Sequence, residues 1–253
     1  MGPSFNEQFD QHGAWRRAFA QQLKQLAEWM SNHDLMDAAV QERLQRLEGQ
    51  VRTDKVMVAF VAEFSRGKSE LINAIFFADY GRRIMPASAG RTTMCPTELG
   101  YDSTLPPSLR LLPIETRLQM QGLADWRLKP ERWVEIALDV NNADQIAKAL
   151  EKVSEIRRVS IEDARALGFW HDDLTDENPV PDVDGLVEVP MWRHALINIP
   201  HPLLKQGLVI LDTPGLNAVG AEPELTVNLI PQAHAVVFIL SADTGVTRSD
   251  LSI

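Results

Sequence analysis

Residues 56–69 leave few folds open. Val56-Met57-Val58-Ala59-Phe60-Val61-Ala62 is an apolar run rich in β-branched residues, the pattern of a buried strand. It passes directly into Glu63-Phe64-Ser65-Arg66, and the loop closes with Gly67-Lys68-Ser69. Glu70-Leu71-Ile72-Asn73-Ala74-Ile75-Phe76-Phe77 then reads as a helix. Strand, polar loop, Gly-Lys-Ser and helix, in that order, form the signature of a phosphate-binding P-loop. Backbone N–H groups of such a loop and of the helix N-terminus converge on phosphate oxygens. The lysine neutralises the β- and γ-phosphates, and the serine hydroxyl ligates Mg2+. Glu63, Phe64, Ser65, Arg66, Gly67, Lys68 and Ser69 are therefore the candidate nucleotide-binding residues. Ala62 stands where the pattern has its first glycine, a departure that the loop tolerates if φ there stays negative.

A second site follows the same logic. Leu208-Val209-Ile210-Leu211 is a short apolar run that delivers Asp212-Thr213-Pro214-Gly215 at its C-terminal end. In nucleotide hydrolases such an aspartate reaches Mg2+ through water, and the glycine N–H bonds the γ-phosphate. Asp-Thr-Pro-Gly alone is an ordinary β-turn sequence; its place after a strand and downstream of a P-loop points to chemistry. Between the two sites, residues 84–99 crowd Gly, Ala, Ser and Pro without apolar periodicity and read as a loop. Thr92 and Thr93 within it are both candidates to give a hydroxyl to Mg2+ and an N–H to the γ-phosphate, as a nucleotide-sensing switch does.

The rest of the chain reads as follows. Phe5, Phe9, Trp15, Phe19, Leu23, Leu26 and Met30 recur mostly three or four residues apart, and Leu35, Val40, Leu44, Leu47 and Val51 make a second stripe, so residues 1–54 read as a helical hairpin. Glu98–Tyr101 and Ser108–Leu112 read as strands. Residues 115–182 are a helical insertion, with helices at Trp133–Leu138, Ala143–Ile156 and Ile161–Leu167, and with Trp126, Trp133 and Trp170 as core or interface residues. The acidic stretch 171–177 does not fit a calcium loop and reads as a solvated linker. Ala195–Ile199 reads as a strand running antiparallel beside Leu208–Leu211. Glu222–Ile230 reads as a helix, and Ala235–Leu240 as an apolar strand at the centre of a sheet covered on both faces.

Composition limits the function classes. The formal net charge is −10, which argues against non-specific nucleic-acid binding, or attraction to anionic lipid, by the chain as a whole. Cys95 is the only cysteine, so there is no internal disulfide and no cysteine-cluster zinc site, as suits a cytoplasmic protein. No apolar run approaches the roughly 18–20 residues of a membrane span.

Taken together, these motifs resemble the front half of a dynamin-family GTPase, particularly the bacterial dynamin-like proteins. The carrying residues are Ala62 to Ser69, Thr93 with Pro96-Thr97, Asp212-Thr213-Pro214-Gly215, and the strand ending Ser241-Ala242-Asp243. The resemblance covers about residues 55–253. It implies an α/β fold: a partial G domain at 55–253 with a mostly parallel sheet flanked by helices, preceded by a neck-like hairpin at 1–54. It implies Mg2+-dependent GTP hydrolysis assisted by homodimerisation of G domains, coupled to self-assembly and membrane remodelling. Ser65, Lys68 and Thr93 then act in catalysis. Ser69, Thr93 and Asp212 serve Mg2+, and Gly215 senses the γ-phosphate. Phe64 stands where eukaryotic members carry a water-positioning glutamine. The Asn/Thr-Lys-x-Asp motif that reads guanine is not found in these residues; in the family it would follow just past Ile253. The chain is thus expected to be the amino-terminal part of a longer protein, peripheral at a membrane through C-terminal elements. The alternative is a nucleotide-dependent binding module with little hydrolysis, working through protein partners in chromosome or cell-division processes.

Overall fold

The computed structural model describes residues 5–33, 35–37, 40–41, 43–44, 47, 51, 55–62, 66–86, 95–172, 178–214 and 230–240. The chain divides into two compact units, Met1–Val56 and Met57–Ile253. In the first, helix α1 runs Phe5–Asn32 and stops where the apolar stripe ends. Ala20, Leu23, Ala27 and Met30 form a half-buried face, while Trp15, Phe19, Leu26 and Trp29 are exposed. Trp15 and Phe19, one turn apart, stack at 5.3 Å between ring centroids. The second helix of the expected hairpin falls largely outside the described residues. No described helix is long and apolar enough to cross a membrane.

The second unit begins with strand β1 (Val56–Ala62) and helix α2 (Lys68–Phe76). Strands β2 (Thr97–Gly100) and β3 (Ser108–Pro113) follow, then helix α3 (Leu123–Arg127), strand β4 (Val134–Ala137) and helix α4 (Ala143–Glu151). Strand β5 (Ile156–Val159), helix α5 (Ile161–Ala166) and strand β6 (Val187–Pro190) form a satellite. Strand β7 (Trp192–Asn198), helix α6 (Pro202–Lys205), and strands β8 (Leu208–Asp212) and β9 (Ala235–Ile239) follow.

Seven strands form one mixed sheet in the order β4-β3-β7-β2-β8-β1-β9, and β5 with β6 forms a separate two-stranded sheet. The α/β class expected from the sequence is what the chain adopts. β1 runs parallel to β9 and β2 parallel to β7, while β2–β8, β3–β7 and β3–β4 are antiparallel. Alternate residues of β1 point to opposite faces. Phe60 joins Ile72 and Phe76 of α2 and Ile146 and Leu150 of α4 in the main core. Ala59 and Val61 pack with Leu211 on the other face, and Leu112, Trp126 and Trp133 make a further cluster. The satellite has its own small core of Val159, Ala164, Leu167, Phe169, Val187 and Val189 with Ile114.

Four expectations need correction. Trp133–Leu138 is not a helix: Val134–Ala137 is an edge strand antiparallel to β3, because Val134 and Ile136 alternate with Glu135 at strand spacing and extend an available edge. The helix expected over Ala143–Ile156 ends at Glu151, and Ile156 begins β5, which pairs with β6. The strand at Ala195–Ile199 does not lie beside Leu208–Leu211; β2 is inserted between β7 and β8 and pairs with both. Among the described residues β9 lies at the end of the sheet, with Val236 and Val237 exposed, rather than at its centre. The helix expected at Glu222–Ile230 falls outside the described residues, apart from Ile230 in a short 3-10 turn. Ser160 caps α5, its Oγ accepting from the Asp163 N–H at 3.0 Å.

Candidate functional site

β1 and β8 are neighbours in the sheet, and the site is built where both end. Ala62, the last residue of β1, is fully buried and pairs in parallel register with Ile239. It is in strand conformation, with negative φ, so the position calls for no glycine. Gly67 does need to be glycine. Its φ of 82° and ψ of 13° are left-handed, a region in which a side chain is strained. That turn lets the chain start α2 at Lys68, with the free N–H groups of the first turn at the site. Glu70 lies in that turn.

The turn also sends Lys68 inward. Its Nζ lies 2.7 Å from Asp212 Oδ1, and the two side chains are 8% and 2% exposed. Among the described residues neither group makes a hydrogen bond beyond this ion pair, and Asp212 Oδ2 has none at all. A buried carboxylate oxygen with no donor is costly unless the site supplies a cation or water. Ser69 follows Lys68 in the same turn and is half-buried.

Asp212 is held from two sides. Across the antiparallel pair it faces Thr97, which is fully buried and whose Oγ1 donates to the Cys95 carbonyl at 3.1 Å. Next along the chain, Thr213 Oγ1 donates to the Phe60 carbonyl at 2.8 Å, tying the end of β8 to β1. The sheet therefore fixes Asp212 beside the start of α2.

Of the residues singled out in the sequence, Gly67, Lys68, Ser69 and Asp212 come together here. Arg66 is half-buried at the mouth of the same turn. Glu63, Phe64, Ser65, Thr92, Thr93 and Gly215 fall outside the described residues. Among the described residues no group of three or more His, Cys, Asp or Glu is arranged to hold a metal. The donors that are present, one carboxylate and one hydroxyl, fit Mg2+ bound together with phosphate, since that ion keeps most of its water and takes few protein ligands.

Two arrangements next to the site have partners that the sequence does not reveal. On the opposite face of β2 from Thr97, Glu98 Oε1 pairs with His194 Nε2 at 2.9 Å and with the Arg127 guanidinium. Burial pushes the Glu98 carboxyl up, but His194 and Arg127 outweigh it and hold it at about 2. The pair joins residues on β2 and β7 whose proximity only the strand order creates. The second is Asn73, a polar residue on the buried face of α2 beside Ile72 and Phe76. A polar side chain on an apolar stripe was visible in the sequence, but its partners were not.

The model of the dynamin family matches residues 58–253. A bacterial dynamin-like protein of Nostoc punctiforme is 33% identical over 70 residues, which is 28% of this chain and 9% of that protein. Two solved structures of an oligomerised bacterial dynamin pair, described as providing a mechanism for the long-range sensing and tethering of membranes, align at TM-scores of 0.49 and 0.44 with 12% and 14% identity. The alignments take in 100% and 95% of this chain but only 36% and 35% of theirs. The chain thus spans about a third of the length of those structures and a smaller share of the curated relative.

Proposed function

The chain belongs to the dynamin family, and on that premise we propose that it binds and hydrolyses GTP with Mg2+. The observation that carries the reading is the buried Lys68–Asp212 contact behind the left-handed turn at Gly67. It brings the cation of one motif and the anion of the other, far apart in sequence, to one point at the N-terminus of a helix.

In the proposed mechanism the phosphates of GTP lie against the N–H groups of residues 63–69 and the N-terminus of α2. Lys68 exchanges Asp212 for the β- and γ-phosphate oxygens, an exchange that keeps the ammonium paired throughout. Ser69, Thr93 and Asp212 would hold Mg2+, which would supply charge neutralisation on the transferring phosphoryl group. Ser65 stabilises charge in the transition state. Gly215 offers its N–H to the γ-phosphate, so the chain after Asp212 responds to hydrolysis. Positioning and charge stabilisation account for the rate, because phosphoryl transfer asks little covalent chemistry of the protein.

The wider proposal is that residues 55–253 are a dynamin-type G domain that pairs with a second copy, with an insertion at about 115–182. Residues 1–54 are a neck-like hairpin whose exposed Trp15, Phe19, Leu26 and Trp29 meet further helices. The chain then acts in the cytoplasm, peripherally at a membrane. Phe64, in the place of a water-positioning glutamine, favours a second reading: a module that binds GTP, hydrolyses it slowly and works through protein partners.

Calorimetric titration of GTP, GDP and ATP with Mg2+ into the chain and into Lys68→Ala tests the first reading. Binding by the wild type and none by the variant supports it; turnover that survives in Lys68→Ala sinks it. A single-turnover assay separates the two readings, since triphosphate that stays intact on the protein favours the module.

A further inference from the structure

We propose that Asp212 makes this site select the Mg2+ complex of a nucleotide over the free nucleotide, because its carboxylate holds Lys68 until a divalent cation replaces the ammonium. This deepens the GTPase reading above and rests on it. Lys68 Nζ lies 2.7 Å from Asp212 Oδ1, with the two side chains 8% and 2% exposed. The phosphate-binding lysine is thus already occupied, by an anion of the chain itself. Asp212 in turn has no second source of compensation among the described residues. Its Oδ2 has no hydrogen-bond partner. The two fully buried hydroxyls beside it spend their protons elsewhere. Thr97, paired with Asp212 across the strands, donates to the Cys95 carbonyl, and Thr213, next along the chain, donates to the Phe60 carbonyl.

The consequence follows from charge balance. A phosphate that draws Lys68 away keeps the ammonium paired but strands the carboxylate. The stranded anion is buried, and neither neighbouring hydroxyl has a proton left to give it. A buried charge that loses its partner is strongly destabilising, and a phosphate brought to the same helix N-terminus adds a like charge nearby. Free nucleotide binds against both effects. A nucleotide that arrives with Mg2+ does not, since the cation compensates Asp212 as Lys68 leaves it. The coupling is reciprocal, so the factor by which Mg2+ tightens nucleotide is the factor by which nucleotide tightens Mg2+. A carboxylate that did nothing but ligate the metal would leave the affinity for free nucleotide untouched. Asp212 lowers it, and that difference separates the two roles.

The test is calorimetric titration of GDP, with Mg2+ and with EDTA, into the wild type and Asp212→Asn. Asparagine keeps the shape of the side chain and an oxygen for Lys68, and removes the charge. The wild type is expected to bind GDP about 100-fold more weakly in EDTA than with Mg2+. Asp212→Asn is expected to bind GDP in EDTA about tenfold more tightly than the wild type does, so that its dependence on Mg2+ shrinks. An Asp212→Asn affinity in EDTA equal to or below that of the wild type overturns the proposal, whatever happens with Mg2+, and leaves Asp212 a metal ligand only. A wild type that binds GDP equally well with and without Mg2+ overturns it too. If Asp212→Asn does not fold, Asp212→Ala decides by the same comparison in EDTA. A wild type that binds no GDP under either condition overturns the GTPase reading and this inference with it.

Discussion

Lys68 Nζ and Asp212 Oδ1 stand 2.7 Å apart at the junction of α2 and β8, both side chains shielded from solvent. Removing one member of a buried ion pair leaves an uncompensated charge, at a cost of about 3–5 kcal/mol. Lys68→Ala is therefore expected to lower the unfolding free energy by roughly 3 kcal/mol. The double variant Lys68→Ala/Asp212→Asn is expected to recover much of that loss, because the stranded carboxylate is gone. Urea unfolding of the four proteins of the cycle measures the coupling. Strictly additive single losses would show that the two groups do not interact.

Asp212 also serves the chemistry. Its backbone is fixed by β8, by the pairing with Thr97, and by the bond from Thr213 to Phe60, so Asp212→Asn leaves the geometry in place and removes the charge. For a group acting on a metal through water, the expected loss is about 10–100-fold in GTP turnover or in apparent Mg2+ affinity. Turnover measured across a Mg2+ titration checks this. An Asn variant with wild-type turnover and the same Mg2+ midpoint would remove Asp212 from the site.

Ala62 looks like a fault in the P-loop when the sequence is read alone. In the structure it is a buried strand residue paired with Ile239, and its backbone makes no demand that only glycine meets. Ala62→Gly is expected to leave nucleotide affinity unchanged and to cost about 0.5–1 kcal/mol of stability through added chain entropy. A tighter-binding Ala62→Gly protein would show that the methyl group obstructs the phosphates after all.

What could be read in advance, and what could not, divides along physical lines. β1 and β8 announce themselves as short apolar runs, and the residues at their ends follow from local backbone chemistry, so Gly67, Lys68 and Asp212 were legible as a set. The lateral order of strands is not local. Nothing in Thr97–Gly100 states that it lies between β7 and β8, and the misplacement of Ala195–Ile199 follows from that. Trp133–Leu138 was misread because four residues at an edge carry too little periodicity to tell a strand from a helix turn. The Glu98–His194 pair depends on strand order and on which face each residue occupies, so it emerges only from the assembled sheet.

That pair gives the chain a pH dependence whose sign can be worked out. Glu98 accepts from His194 at 2.9 Å and from Arg127, and these partners hold its carboxyl at about 2, against an ordinary value of 4.5. A carboxyl with a depressed pKa in the folded state stabilises the fold wherever it is ionised in both states, above about pH 4.5. The unfolded chain takes up the proton first as the pH falls, so the contribution is lost between about 4.5 and 2. The amount at stake is on the order of 3 kcal/mol. Glu98→Gln removes the titrating group, so its stability is expected to fall less steeply over this window than that of the wild type, from a lower starting value at pH 7. Urea midpoints measured at half-unit steps from pH 6 to pH 3 check the expectation. Parallel pH profiles for the two proteins would mean that the carboxyl of Glu98 is not held down in the folded state.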